Sequence, residues 1–292
     1  MSSHTPLRGI RVLTLALNLP GPAAVMRLRA MGARCTKLEP LNPHGGSSDP
    51  MASYKPTAYR QLHDGVRVVS ADLKQIKGQK KLHTLLAQTD VLITSFRPSA
   101  LTKLGLAPMV LQKTYPQLIQ IAIVGAPGAQ AEEPGHDLTY MAENGLLHDL
   151  ALPASLFADM GGSLLVSETV LQALMQRQRK GRGSHHEVAL CDAAAYLGLP
   201  RTWGLTTPEG AVGGAHAGYR IYACKGGRVA VAALEPHFAR SLCQVAGVPP
   251  AIQSQGMMSK PVHQHLNRWF ATQTRAQLQK LATQHDIPMH TL

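Results

Sequence analysis

The sequence predicts an α/β fold: a Rossmann-like parallel-sheet domain with a second, smaller α+β domain. Three observations predict it. Short apolar runs of strand length alternate with helical stretches over residues 1–200, the pattern of βαβ units that build a parallel sheet. A Gly-, Thr- and Pro-rich stretch at 201–214 reads as a linker. From 215 to 292 the pattern changes to a hairpin followed by helices.

The elements follow in order. Residues 10–17 (IRVLTLAL) read as a buried strand. Pro20-Gly-Pro22 reads as a turn, and 23–31 as a short helix stopped by Gly32. Residues 35–39 (CTKLE) and 66–70 are the second and third strands, with a helix at 79–87. Residues 90–95 (DVLITS) and 118–124 (LIQIAIV) are the fourth and fifth, separated by a short helix at 109–114. Helices are expected at 136–147 and 161–179, the second carrying an apolar face and ended by Gly181-Arg-Gly183. Strand resumes at 187–190 and helix at 192–199. Residues 219–223 and 228–232, joined by Lys225-Gly-Gly227, form the hairpin. Helices near 236–245 and 262–284 complete the chain.

Composition narrows the function. With 292 residues and 45% hydrophobic content the chain is globular, and at 4% aromatics its core must be built from aliphatic side chains. No apolar run is long enough to span a bilayer, and Met1-Ser-Ser-His-Thr-Pro lacks the regions of a signal peptide. Cys35, Cys191, Cys224 and Cys243 are scattered and form no disulfide framework, so a cytoplasmic location is expected. The formal charge of +12 suits a polyanionic ligand. The basic residues are dispersed and no nucleic-acid-binding motif is present, which favours a phosphorylated small molecule over nucleic acid. The first strand-to-helix turn, Asn18-Leu-Pro-Gly-Pro22, lacks Gly-x-Gly-x-x-Gly, which argues against NAD or FAD. No histidine or cysteine spacing points to a metal.

Three residues stand out for acid–base chemistry. Asp159 precedes Gly161-Gly162 where the long helix is expected to begin. There it is either a helix cap or a carboxylate beside glycine N–H groups able to hold an oxyanion. His136, in Pro134-Gly-His-Asp137, lies at a loop-to-helix junction, and a neutral imidazole is a side chain suited to proton abstraction near pH 7. As one of 14 histidines it could equally be a surface residue. Glu235 is either a strand-end carboxylate before Pro236 or a partner that orients a histidine.

The order of short motifs resembles the class III CoA-transferase (CaiB/BaiF) family, closest to its α-methylacyl-CoA racemase branch. The matching stretches are Leu7-Arg-Gly-Ile-Arg-Val-Leu, Pro20-Gly-Pro, Met31-Gly-Ala-Arg-Cys-Thr-Lys-Leu-Glu-Pro40 and Ala71-Asp-Leu-Lys74. Asp90-Val-Leu-Ile, Phe96-Arg-Pro98, Leu104-Gly-Leu106, Pro134-Gly-His-Asp137, Ala158-Asp-Met-Gly-Gly162 and Gly181-Arg-Gly183 continue the series.

The resemblance implies that Asp159, His136 and Glu235 are catalytic. It implies that residues 1–200 bind CoA, with Lys37, Lys74 and Arg97 near the phosphates and Gly161 and Gly162 at the enolate oxygen. It implies a 2-methylacyl-CoA epimerase working by two-base α-proton transfer. The alternatives are a CoA-transferase with an aspartyl intermediate and a non-catalytic CoA-binding member. Coenzyme A enters as part of the substrate, and no separate cofactor or metal is expected. The partners implied are acyl-CoA and a second copy of the chain in a homodimer, without nucleic acid or membrane. Five differences from the family are expected: a shorter loop between His136 and Asp159, Gln61-Leu-His-Asp-Gly-Val-Arg67 in place of a basic stretch before the third strand, Ser99 where glycine is usual, a loop Ala126-Pro-Gly-Ala-Gln130 without the Gly-Pro ending, and the absence of the C-terminal segment that returns to the large domain.

Overall fold

The computed structural model describes residues 5–292, so the reading of the N-terminus lies partly outside the described residues. The chain divides into two compact units, residues 1–198 and 199–292. The boundary falls inside one helix, ahead of the expected linker.

The first unit is built on six parallel strands: β1 (Arg11–Thr14), β2 (Arg34–Glu39), β3 (Arg67–Ser70), β4 (Val91–Thr94), β5 (Ile119–Val124) and β6 (His185–Ala189). Their order is β3-β2-β1-β4-β5-β6. Every residue of β4 and of β5 is buried, as expected of a parallel sheet covered on both faces. Strand periodicity sorts the side chains. Val12, Val91, Ile93, Ile119 and Ile121 enter one core. Leu13, Leu15, Leu38 and Leu92 enter the other.

The helices of this unit are α1 (Pro20–Ala30), α2 (Pro50–Tyr54), α3 (Pro56–Leu62), α4 (Ile76–Leu86), α5 (Pro98–Lys103), α6 (Pro108–Thr114), α7 (Asp137–Glu143), α8 (Phe157–Lys180) and α9 (Leu190–Thr202). Pro20-Gly-Pro22, expected as a turn, is the first turn of α1. Proline is tolerated there because those N–H groups have no intrahelical acceptor. The two short helices α2 and α3 lie where the sequence reading placed no element. Helix α8 is 24 residues long and ends on Gly181 at φ 66°, whose N–H donates to Arg177 C=O at 2.9 Å. Helix α9 passes through Pro200 to Thr202, so the expected linker begins as helix.

The second unit holds an antiparallel sheet, β7 (Tyr219–Cys224), β8 (Gly227–Ala232) and β9 (Met289–Thr291), in that order. The hairpin is as expected, and β9 adds a strand the sequence reading missed. The remaining helices are α10 (Pro236–Val245), α11 (Pro250–Gln253), α12 (Lys260–Thr272) and α13 (Arg275–Gln284). The single helix expected over 262–284 is two. Thr274 and Gln277 form a capping box, with Thr274 N–H on Gln277 Oε1 at 2.8 Å and Gln277 N–H on Thr274 Oγ1 at 3.2 Å. This reciprocal cap starts a new helix despite the continuing apolar period. Tyr222 stacks on Phe270 at 4.3 Å in this unit's core. Among the described residues, no helix is long and apolar enough to cross a membrane.

Candidate functional site

In an open parallel sheet, the crevice forms beyond the carboxyl ends of the strands where the winding reverses. Here that point lies between β1 and β4. A cleft of about 400 Å³ opens there. Its walls are Leu17 and Asn18 after β1, Ser95 to Arg97 after β4, Gly125 after β5, and His136, Tyr140 and Asp159.

His136 and Asp159 thus meet in one cleft, although 159−136 = 23 positions separate them. Asp137 explains how. It is the first residue of α7, 4% exposed, and its Oδ1 accepts the Asp159 N–H at 3.0 Å. The start of α7 is therefore tied to the first turn of α8. His136 caps α7 with its main chain: its N–H donates to Thr139 Oγ1 at 3.1 Å, and its C=O accepts from the same hydroxyl at 2.8 Å.

Asp159 is the third residue of α8, one turn inside the cap position held by Leu156. Burial, reinforced by the charge of Asp137 and opposed by His136, pushes its carboxyl up from 3.8 to about 6. A carboxyl at that value is protonated or ionised in comparable amounts near pH 6. It can give or take a proton in the range where imidazole does.

Gly161 and Gly162 do not fit the expected role. Both lie inside α8, where their N–H groups belong to the helical ladder and are not aimed at a ligand. Their small size serves packing instead. A Cβ on Gly162 would lie 2.3 Å from Leu190 Cδ2, and one on Gly161 3.1 Å from Leu197 Cδ1. The glycines let α9 approach α8.

Lys37 also departs from expectation. Its side chain is fully buried. Its Nζ pairs with Asp49 Oδ2, lies 3.2 Å from Glu39 Oε1 and 2.9 Å from His63 Nε2, and sits over the Tyr59 ring. An ammonium so enclosed cannot reach a ligand phosphate. Its neighbours are fixed in turn. His63 Nδ1–H donates to Tyr59 C=O at 2.7 Å, and burial together with Lys37 lowers the imidazole pKa, leaving Nε2 to accept from Lys37. Burial works to raise Glu39, but hydrogen bonds from Ser47 and Tyr59 and the charge of Lys37 outweigh it and hold the carboxyl below its usual value. Glu39, Asp49 and His63 lie close enough together to ligate a metal ion, and Lys37 already occupies them with its own charge.

The other expected cations are exposed. Arg97 lines the cleft. Lys74 lines an open groove of about 970 Å³ with Lys80, His83 and Lys103, a basic surface the sequence reading did not assemble. The six residues of α5 join Arg97 to Lys103, roughly 9 Å at 1.5 Å per residue. The rim at α5 is held by Glu132, which accepts from Ser99 N–H at 2.7 Å and from Ser99 Oγ–H at 2.8 Å. Glu235 belongs to the second unit. It is exposed at the cap position of α10, before Pro236, and its carboxylate makes no capping bond.

Comparison with known proteins follows the same lines. The profile of CoA-transferase family III matches residues 7–292. Alpha-methylacyl-CoA racemase from Homo sapiens is 30% identical over 260 residues, covering 83% of this chain and 65% of that protein. (R)-2-hydroxy-4-methylpentanoate CoA-transferase from Clostridioides difficile is 30% identical over 206 residues, covering 65% of this chain and 52% of its own. The chain thus spans less than two thirds of the length of these curated relatives. A hypothetical protein from Mycobacterium tuberculosis has the same fold, with a TM-score of 0.83 at 24% identity over 98% of this chain and 83% of that one.

Proposed function

The chain belongs to CoA-transferase family III, and from that premise we propose that it epimerises 2-methylacyl-CoA thioesters by two-base α-proton transfer through an enolate. The observation that carries this reading is the meeting of His136 and Asp159 in one cleft, with the carboxyl raised to about 6.

The chemistry follows from charge. A thioester carbonyl acidifies its α-carbon. One base removes the α-proton, electrons move onto the carbonyl oxygen, and the second group returns a proton to the opposite face. Inversion in both directions needs each group to work as acid and as base. A carboxyl raised to about 6 can serve as acid and as base in that exchange, with His136 proposed as its partner. Glu235 is proposed as a supporting carboxylate. Arg97, Lys74 and Lys103 are proposed to take the CoA phosphates, where guanidinium and ammonium groups suit the charge. Lys103 replaces Lys37 in that set.

The experiment is incubation of one 2-methylacyl-CoA epimer in heavy water. Uptake of one α-deuterium with drift to a mixture of epimers is expected. Asp159→Asn and His136→Gln should each slow it by about 10²–10⁴-fold, the usual range for a lost acid–base group. Retention of both the α-proton and the starting configuration would remove the reading.

A second reading rests on the similarity to a CoA-transferase. Asp159 would then attack the donor thioester, forming an acyl anhydride and releasing CoA thiolate. Transfer of CoA to a free carboxylate, with an adduct trapped by hydroxylamine, would favour it.

A further inference from the structure

An enolate or a tetrahedral oxyanion needs a hydrogen-bond donor fixed where the carbonyl oxygen will sit. Gly161 and Gly162 cannot supply it, because α8 uses their N–H groups. Asn18 has the required properties. It follows β1 at the switch point of the sheet and lines the cleft with His136 and Asp159.

Its backbone is held in an uncommon state. Asn18 has φ 67°, in the left-handed region. An asparagine there ordinarily bonds its own neighbourhood. This one does not. Its N–H donates to both carboxylate oxygens of Asp49, at 3.1 Å each, and its side-chain Oδ1 accepts the hydroxyl of Tyr54, 36 residues away. Asp49 is in turn immobilised by Lys37, which Glu39 and His63 fix from its other sides. Tyr54 sits at the end of α2, the short helix that Asp49 caps. Burial, and then the charges of Asp49 and Asp159, push the Tyr54 hydroxyl up from its ordinary value.

With Oδ1 committed to Tyr54, the amide has one orientation. Among the described residues no acceptor engages Nδ2, which leaves its two N–H groups for a ligand. Backbone strain tolerated at a cleft wall, with both ends of the residue tied to separate anchors, is the arrangement expected of a preorganised donor.

We propose that the Asn18 carboxamide binds the thioester carbonyl oxygen through Nδ2–H, and that Tyr54 and the buried Lys37–Asp49 pair act as its positioning residues. The proposal rests on the acyl-CoA reading above but not on which reaction follows, since epimerisation and acyl transfer both charge that oxygen.

The test is carbonyl discrimination in binding. Propionyl-CoA and its thioether analogue, propyl-CoA, differ only in the carbonyl. The wild-type protein should prefer the thioester by about tenfold, the worth of one hydrogen bond of about 1.4 kcal/mol. Asn18→Gly keeps a residue at ease with positive φ and removes the side chain with its carboxamide. It should bind the two compounds equally while keeping the wild-type affinity for propyl-CoA. Tyr54→Phe, at a residue 61% exposed, should lose part of the preference without unfolding the protein. A wild-type preference that survives intact in Asn18→Gly overturns the proposal, as does a wild type that binds both compounds equally. Failure of the wild type to bind either compound overturns the acyl-CoA reading and this proposal with it.

Discussion

Replacing Asp159 by Asn should stabilise the first unit at pH 8 and do so much less at pH 4.5. The carboxyl is raised from 3.8 to about 6 by burial and by Asp137. A raised carboxyl binds its proton more tightly in the folded state. The wild type therefore loses stability as pH rises through the window from about 4 to 6, and is level above it. The shift is about two units at roughly 1.36 kcal/mol each, so the ionised form costs about 3 kcal/mol at pH 8. At pH 4.5 linkage leaves only about 1 kcal/mol of that cost. Asparagine carries no charge at either pH, and its own desolvation is the same at both. The gain from Asp159→Asn should thus shrink by about 2 kcal/mol between pH 8 and pH 4.5.

Urea unfolding followed by far-ultraviolet circular dichroism measures it. Trp203 and Trp269 both lie in the second unit, so tryptophan fluorescence does not report on this site. The first-unit transition is identified at pH 8 by labelling of Cys35, which is buried in that unit's core. A gain that is equal at the two pH values, or a variant less stable than wild type at pH 8, would refute the assignment of a strained carboxylate.

Four further outcomes are expected. Lys37→Met leaves Asp49 and Glu39 buried without their cation and should cost about 3–5 kcal/mol in urea unfolding; a loss under 1 kcal/mol would mean that the cluster is not charged as described. Gly162→Ala should cost about 1–3 kcal/mol by pressing on buried Leu190, whereas Gly161→Ala meets the half-exposed Leu197 and should be neutral or better. Neither alanine should slow α-deuteration more than a few-fold, and a hundred-fold loss would return those glycines to the chemistry. In the direction where Asp159 acts as base, kcat/KM for α-deuteration should rise through about pH 6, and a profile without that inflection would exclude the carboxyl as the base. A thiol reagent should reach Cys35 and Cys243 only on unfolding, since both are buried, with the Cys35 thiol pushed up to about 12; labelling of either in the native protein would show that its core opens.

Much of this protein is decided locally. The alternation of strand and helix, the helix stop at Gly181 and the hairpin at residues 219–232 follow from apolar period, turn residues and glycine, all of which act over a few positions. The family and the candidate residues His136, Asp159 and Arg97 come from short motifs in the same way. The capping box at Thr274 was equally local, and the apolar period concealed it. What needed three dimensions was every question of which way a side chain faces. The family resemblance placed Lys37 near the phosphates, and the sequence of a strand does not mark which way such a lysine faces. Burial turned it inward, onto Asp49 and His63, 12 and 26 residues away. Gly161 and Gly162 looked like oxyanion donors because the sequence does not say that the helix had already begun. Asn18 drew no notice, since its left-handed backbone and its bond to Tyr54 exist only once α2 folds back against the end of β1. Periodicity fixes elements through nearest neighbours; the site arises where strand ends and loops far apart in the chain converge, and only the folded chain sets that geometry.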